Sequence, residues 1–101
     1  MNNKLKNLEK LQYLESIKDN LNLDAMPKNE LRKLYDVINI NSLKQKRILK
    51  TNVNGLSNLK NYAINKVVAM DLRESGNVER SLTYETICQK IYYKLDKNLQ
   101  W

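Results

Sequence analysis

The apolar residues of this chain recur mostly at intervals of three and four, the spacing that places side chains on one face of an α-helix. The clearest case comes late in the sequence, within an arc of about 120° at 100° per residue: Tyr84, Ile87, Cys88, Ile91, Leu95 and Leu99. Ser81 or Thr83 is the predicted N-cap of this helix. No stretch alternates between apolar and polar residues over the length of a strand, so no β-sheet is predicted.

A second apolar pattern predicts a first helix from about Asn3 to Leu21. Its apolar residues recur mostly every three positions: Leu5, Leu8, Leu11, Leu14, Ile17 and Leu21. Because three residues fall short of a full 3.6-residue turn, this stripe winds around about half of the helix. A face this broad can contact two neighbouring helices, and a homodimer would be another way to bury it.

The middle of the chain predicts further helices with less regular spacing. Pro27 marks a helix start, and the helix carries Leu31, Leu34, Tyr35 and Ile38 on its apolar side. Ser42 then caps a short helix ending at Lys50, while one continuous helix over residues 28–50 is the alternative. The segment Thr51–Gly55 predicts a turn, because Asn-Gly tolerates positive φ.

The next helix is expected over about 57–74, capped by Ser57 and ended by Gly76. Its predicted buried side carries Leu59, Ala63, Val67 and Met70. The whole pattern predicts an all-α fold, a compact bundle of four to five helices forming a single domain over residues 1–101. No apolar run approaches the roughly 20 residues of a membrane span and no apolar leader is evident, so we expect a cytoplasmic protein without membrane association.

The composition removes most enzymatic chemistry. The chain contains no histidine, which excludes catalytic triads and zinc sites built on imidazole. Cys88 is the only cysteine and lies on an apolar face, where it is expected as buried filler. The isolated Gly55 and Gly76 form no phosphate-binding loop, and Asp71 with Glu74 lacks the further ligands that a metal ion needs. We therefore expect a binding protein rather than an enzyme, with no cofactor.

The net charge of +7, from 18 basic and 11 acidic residues, is concentrated in one segment. Residues 37–70 carry six bases and no acid. Six bases match the chain average for this length, so the segment lacks acids rather than concentrates bases. A surface of lysine, arginine and neutral donors suits the phosphates of a DNA or RNA backbone. The predicted nucleic-acid-binding residues are Lys44, Lys46, Arg47, Lys50, Lys60, Lys66 and Arg73.

The first functional hypothesis is a nucleic-acid-binding regulator or accessory factor that uses this central surface. Lysines outnumber arginines fourteen to four, which favours phosphate contacts over base readout. The hypothesis requires the predicted bases to converge on one face. Residues 30–50 can also be fitted to a helix-turn-helix, in which Tyr35 is too bulky for the helix contact and Gln45 is polar at a core position.

The second hypothesis is a protein–protein interaction module of phage or plasmid type, such as an inhibitor, an anti-defence factor or an immunity protein. Its partner would be an acidic surface of a host protein. Short length, a composition typical of AT-rich codons and the absence of catalytic residues favour it. Tyr93 and Trp101 are the predicted partner anchors, because aromatic side chains supply contact area at low entropic cost. Packing of Trp101 onto the bundle is the alternative.

Overall fold

The computed structural model describes residues 6–101, which form five α-helices and no strand. The helices are α1 Asn7–Ile17, α2 Lys28–Val37, α3 Leu43–Leu49, α4 Val53–Glu74 and α5 Val78–Lys94, with 3-10 turns at Leu23–Ala25 and Lys97–Leu99. This confirms the predicted all-α bundle. The start of the first helix at Asn3 and its residue Leu5 lie outside the described residues. None of the helices within residues 6–101 is long and apolar enough to cross a membrane.

The long helix α4 organises the bundle. It packs against both α2 and α5, while α3 packs against α1. The centre of the core consists of side chains with no solvent exposure: Leu14, Leu23, Leu31, Leu34, Leu56, Leu59 and Ala63. Burial of each leucine contributes about 1.5–3 kcal/mol, so the leucine-rich core is the main source of stability.

The segment over 28–50 contains two helices rather than one. The backbone is extended at Ile38, and the Ser42 side chain caps α3 as predicted, accepting a hydrogen bond from the Gln45 amide nitrogen at 3.2 Å. The Gln45 side chain is buried. It donates to the Val37 carbonyl at 2.9 Å and accepts from the Asn39 amide at 2.8 Å. The buried amide therefore satisfies backbone groups that the break in the helix leaves unpaired.

Helix α4 begins before the predicted position, so the prediction of a turn over 51–55 is wrong. Asn52 is the N-cap, and its side chain accepts from the Gly55 amide at 3.0 Å. Gly55 therefore lies in the first turn of the helix, and Ser57 is not the cap. A Cβ atom at Gly55 would lie 1.8 Å from the Thr51 hydroxyl. The glycine is required for this close approach rather than for a turn.

Gly55→Ala is expected to lower the free energy of unfolding by about 1–3 kcal/mol, the cost of overpacking. Moving the Thr51 hydroxyl aside breaks its 2.7 Å hydrogen bond to Asp96. In a helix without this close contact, Gly→Ala would stabilise the protein by about 0.5–1 kcal/mol. The sign of the change in the free energy of unfolding therefore shows whether Thr51 blocks a Cβ atom at position 55. Urea unfolding measures it, and Gly55→Ala with Thr51→Ala should recover part of the loss. A more stable single variant would contradict the geometry.

The junction between α4 and α5 is partly as predicted. Gly76 has a positive φ of 86° and ends α4, which confirms the glycine cap. Asn77, rather than Ser81 or Thr83, caps α5 by accepting from the Arg80 amide at 3.2 Å. Ser81 is buried and its hydroxyl donates to the Ala69 carbonyl at 2.9 Å. Ser81 thus joins α5 to α4 instead of starting the helix.

Cys88 is buried against α4, as predicted. It is 1% exposed, and its thiol lies 3.8 Å from the Tyr62 carbonyl oxygen. Burial raises the pKa of the Cys88 thiol to about 12. The thiolate that reacts with oxidants and electrophiles is therefore scarce at neutral pH.

Candidate functional site

Three of the seven predicted basic residues, Lys44, Lys46 and Arg47, lie on α3, and a fourth, Lys50, ends that helix with a positive φ of 53°. Gln45 and Leu49 occupy the buried side of this helix, so Lys44, Arg47 and Lys50 project into solvent, with the partly buried Lys46 at their flank. No ion pair within residues 6–101 involves any of these four. Of the predicted row of Lys44, Arg47 and Lys50, the first two therefore lie on α3, and Lys50 lies just beyond its end.

An open groove of about 680 Å³ lies between α1 and α3. Apolar and polar side chains line it: Leu8, Leu11, Gln12, Glu15, Ser16, Lys44, Arg47 and Ile48. Two of the leucines near these cations are unusually exposed, Leu8 at 66% and Leu43, next to Lys44, at 59%. We refer to the eight lining residues as the α1–α3 groove. Sequence reasoning missed it, although the broad apolar stripe of the first helix indicated a face needing a neighbour.

The lining of the α1–α3 groove carries a net positive charge. Glu15 is its only acidic residue, and the Glu15 carboxylate already pairs with Lys18 at 2.7 Å. Lys44 and Arg47 have no such partner among residues 6–101. A ligand entering the groove meets apolar side chains and two cations that can bind carboxylates or phosphates.

The remaining predicted bases lie elsewhere. The Lys60 ammonium donates to the Ile38 carbonyl at 3.2 Å and lies 4.7 Å from the centre of the Tyr35 ring, so it links α4 to α2. Arg73 lies about 30 Å along α4 from the end adjoining α3, at 1.5 Å per residue. Lys60 is therefore engaged with α2, and Arg73 lies far from the bases of α3.

Lys66 belongs to a network centred on the Asp24 carboxylate. That carboxylate accepts from the Tyr62 hydroxyl at 2.5 Å and from the Trp101 indole at 2.9 Å, and it pairs with Lys66 at 3.2 Å. Lys66 also pairs with Glu85 at 3.0 Å, and only 14% of its side chain is exposed. Its charge is therefore used within the fold.

The network shifts the pKa values of its two central groups. Burial acts to raise the pKa of Asp24, but hydrogen bonds from Trp101 and Tyr62 and the charge of Lys66 outweigh it, leaving the pKa below its usual value. Burial likewise acts to lower the pKa of Lys66, and Glu85 and Asp24 outweigh it, so that pKa is raised. Both groups are held in their charged forms.

The two predicted partner anchors lie in different environments. The Trp101 ring packs edge-on against Tyr62 and Tyr92, with ring centres 4.9 Å apart in each pair. The Tyr92 hydroxyl also donates to the Trp101 carbonyl oxygen. Tyr93 is 78% exposed on α5. Trp101 thus packs onto the bundle, and Tyr93 alone of the two projects into solvent.

The Asp24 network predicts a specific loss of stability in acid. A carboxyl whose pKa in the folded protein lies below its ordinary value stabilises the fold above that ordinary value, about 3.9 for Asp. The stabilisation disappears as the pH falls through the folded-state pKa. Because the Asp24 side chain is half exposed, solvent screening keeps the effect below about 1 kcal/mol.

Thermal unfolding of Asp24→Asn and the parent chain between about pH 7 and pH 2 measures this contribution. The parent should melt higher at neutral pH, and the gap should narrow as the pH falls below about 4. Asp36→Asn is the matched control, since Asp36 is exposed and forms no ion pair within residues 6–101. A gap that stays constant over the pH range would count against a depressed Asp24 pKa.

No three potential metal ligands cluster anywhere in residues 6–101. Asp71 and Glu74 both pair with Lys28, at 2.5 and 2.8 Å, so they join α4 to α2. No protein-family model matches the sequence, and comparisons with curated proteins and with solved structures find no match. The inference of function therefore depends on the α1–α3 groove and on the basic residues on and just after α3.

Proposed function

We propose that the chain is a binding protein that engages a partner protein through the α1–α3 groove. The partner would present an acidic, amphipathic segment. An apolar side chain of that segment enters between Leu8, Leu11 and Ile48, and its carboxylates pair with Lys44 and Arg47. The observation that supports this proposal is the combination, in one groove, of the exposed Leu8 with Lys44 and Arg47, which form no ion pair among residues 6–101.

The exposed leucines favour a protein partner over a nucleic acid. Phosphate contacts need cations and hydrogen-bond donors, and they gain nothing from Leu8 or Leu43. Burial of apolar surface contributes about 25 cal/mol per Å², so a partner that covers both leucines gains affinity that a phosphate backbone does not. Two of the seven predicted bases also lend little support to a single nucleic-acid-binding face, because Lys66 pairs with Asp24 and Glu85 and Arg73 lies about 30 Å along α4 from the end adjoining α3.

Nucleic-acid binding is the second candidate, supported by the four bases on and just after α3, which form no ion pair within residues 6–101. Four phosphate contacts on duplex DNA predict that log K falls with log salt with a slope of about −3.6. This binding would involve Lys44, Lys46, Arg47 and Lys50, and it would not depend on Leu8.

Selection of peptides from a displayed random 12-residue library on the immobilised protein tests the proposal without a known partner. We expect the enriched peptides to combine Asp or Glu with Leu, Ile or Phe at helical spacing. Synthetic copies of the enriched peptides should bind Lys44→Glu/Arg47→Glu at least tenfold more weakly, and Leu8→Ser about tenfold more weakly, a factor that corresponds to about 1.4 kcal/mol.

Matched controls alter the same chemistry outside the groove. Arg73→Glu reverses an exposed charge on α4, and Leu82→Ser removes a leucine that is 54% exposed on α5. Both should leave peptide affinity within about twofold of the parent, because neither touches the groove. Enriched peptides without an excess of acid, or equal affinities for the groove variants, would refute the proposal.

Fluorescence anisotropy with an AT-rich DNA duplex and a DNA single strand distinguishes nucleic-acid binding from binding of a partner protein. Duplex binding that is lost in Lys44→Glu/Arg47→Glu but unchanged in Leu8→Ser supports nucleic-acid binding. Peptide binding that is weakened in both Lys44→Glu/Arg47→Glu and Leu8→Ser, together with no binding of DNA by the parent chain, supports the protein partner.

A further inference from the structure

One face of α5 is exposed and carries no charge. At 100° per residue, its members fall within an arc of about 80° and extend over about 22 Å: Val78, Leu82, Thr86, Gln89 and Tyr93. Val78 is 47%, Leu82 54% and Tyr93 78% exposed. These are three of the seven large apolar side chains exposed in residues 6–101. We refer to the five residues as the α5 stripe.

The charged residues on one side of the α5 stripe are acidic at the start of the helix and basic at its end. On one flank, an exposed acid, Glu79, lies in the first turn, and two exposed bases, Lys90 and Lys94, lie in the last two turns. When two helices pack antiparallel about a two-fold axis, each flank of one faces the same flank of the other. Glu79 of each copy then lies beside Lys90 and Lys94 of the second copy.

The geometry points to a symmetric antiparallel dimer of this chain through the α5 stripe. With the axis between Glu85 and Thr86, Val78 packs against Tyr93 of the second copy and Leu82 packs against the stem of Gln89. The stripe itself carries no charge, and the flank with Glu79, Lys90 and Lys94 supplies opposite charges. On the other flank Glu85 lies beside the axis, where its carboxylate is already paired with Lys66 of the same copy at 3.0 Å. This interface is separate from the α1–α3 groove, so either one can fail in experiment without the other.

Sedimentation equilibrium from about 5 to 500 µM tests the dimer. A contact between two helices over about 22 Å is at the small end of specific interfaces, so we expect weak association with a dissociation constant inside this concentration range. Leu82→Lys should weaken association at least tenfold. Leu43→Lys, an exposed leucine on α3, is the matched control and should not change it. A parent chain that remains monomeric at about 500 µM would overturn the inference.

Charge reversal tests the orientation. Glu79→Lys alone and Lys90→Glu/Lys94→Glu alone should each weaken the dimer about tenfold, and the three changes combined should restore it to within about threefold of the parent. Asp36→Lys changes the net charge as Glu79→Lys does, but on α2, and controls for general repulsion. Association that the combined variant fails to recover would exclude the antiparallel arrangement.

Disulfide formation gives a second measurement that does not depend on affinity. Thr86→Cys lies beside the proposed axis and should cross-link to its counterpart under mild oxidation, whereas Thr83→Cys, exposed but outside the stripe, should cross-link at least tenfold more slowly. The buried Cys88 does not interfere, and circular dichroism verifies that each variant is folded. Equal rates for the two cysteine variants would contradict the interface.

Discussion

Trp101→Ala is expected to lower the free energy of unfolding by about 3 kcal/mol, the low end for truncating a large aromatic side chain in a packed site. The indole is in edge contact with Tyr62 and Tyr92, and its N–H donates to Asp24. Truncation removes two aromatic contacts, each contributing about 0.5–1.5 kcal/mol, and one hydrogen bond to a charged acceptor. Urea unfolding followed by circular dichroism measures the loss.

Two further variants separate the contributions of Trp101. Trp101→Phe keeps much of the aromatic packing but loses the N–H donor, and should cost about 1.5 kcal/mol, as for other hydrogen bonds to charged groups. Tyr93→Ala, at an exposed position with a single edge contact to Tyr92, should cost no more than about 1 kcal/mol. If Trp101→Ala proved as mild as Tyr93→Ala, the indole would be free to act as a partner anchor, as first hypothesised.

The number and order of the helices could be predicted from the sequence because periodicity and glycine are local signals. Gly76 ends α4 as predicted, since a residue with positive φ favours glycine at any helix end. The N-cap residues were harder to predict, because asparagine, serine and threonine all occur near the helix starts and each can act as a cap. Asn52 and Asn77 are the caps, and Ser81 instead donates to the Ala69 carbonyl twelve residues before it. That contact exists only once α4 and α5 are packed.

The candidate site likewise combines features that follow from local sequence with features that arise only when the helices pack. The positions of Lys44 and Arg47 on α3 follow from spacing within one helix, so the sequence was sufficient to predict them, whereas Lys50 lies just after the helix with a positive φ. The engagement of Lys66 depends on Asp24, 42 positions earlier, and on Glu85, 19 positions later. Neither pairing leaves a signal in local composition. The groove needs α1 beside α3, which no pattern within either helix specifies.

Gln45 shows both what the sequence reveals and what only the fold reveals. Its polar side chain at a core position argued against a helix-turn-helix, and its hydrogen-bond partners are visible only in the structure. Gln45→Leu is expected to lower the free energy of unfolding by about 2 kcal/mol. The substitution leaves the buried Val37 carbonyl without its side-chain partner, and an unsatisfied buried group costs about 1–3 kcal/mol. The Asn39 amide also loses its acceptor, but Asn39 is exposed and water can replace that acceptor. Gln12→Leu, at an exposed glutamine of α1, should cost less than about 0.5 kcal/mol.

Hydrogen exchange distinguishes this cause from a general packing defect. The Asn39 amide should exchange faster in Gln45→Leu than in the parent by more than global destabilisation accounts for, because its acceptor is lost. Gln45 also holds α3 against the end of α2, and α3 carries Arg47 and Ile48 of the groove. Gln45→Leu should therefore weaken peptide binding although Gln45 does not line the groove. Unchanged stability, with unchanged exchange at Asn39, would mean that the helix break is maintained without the amide.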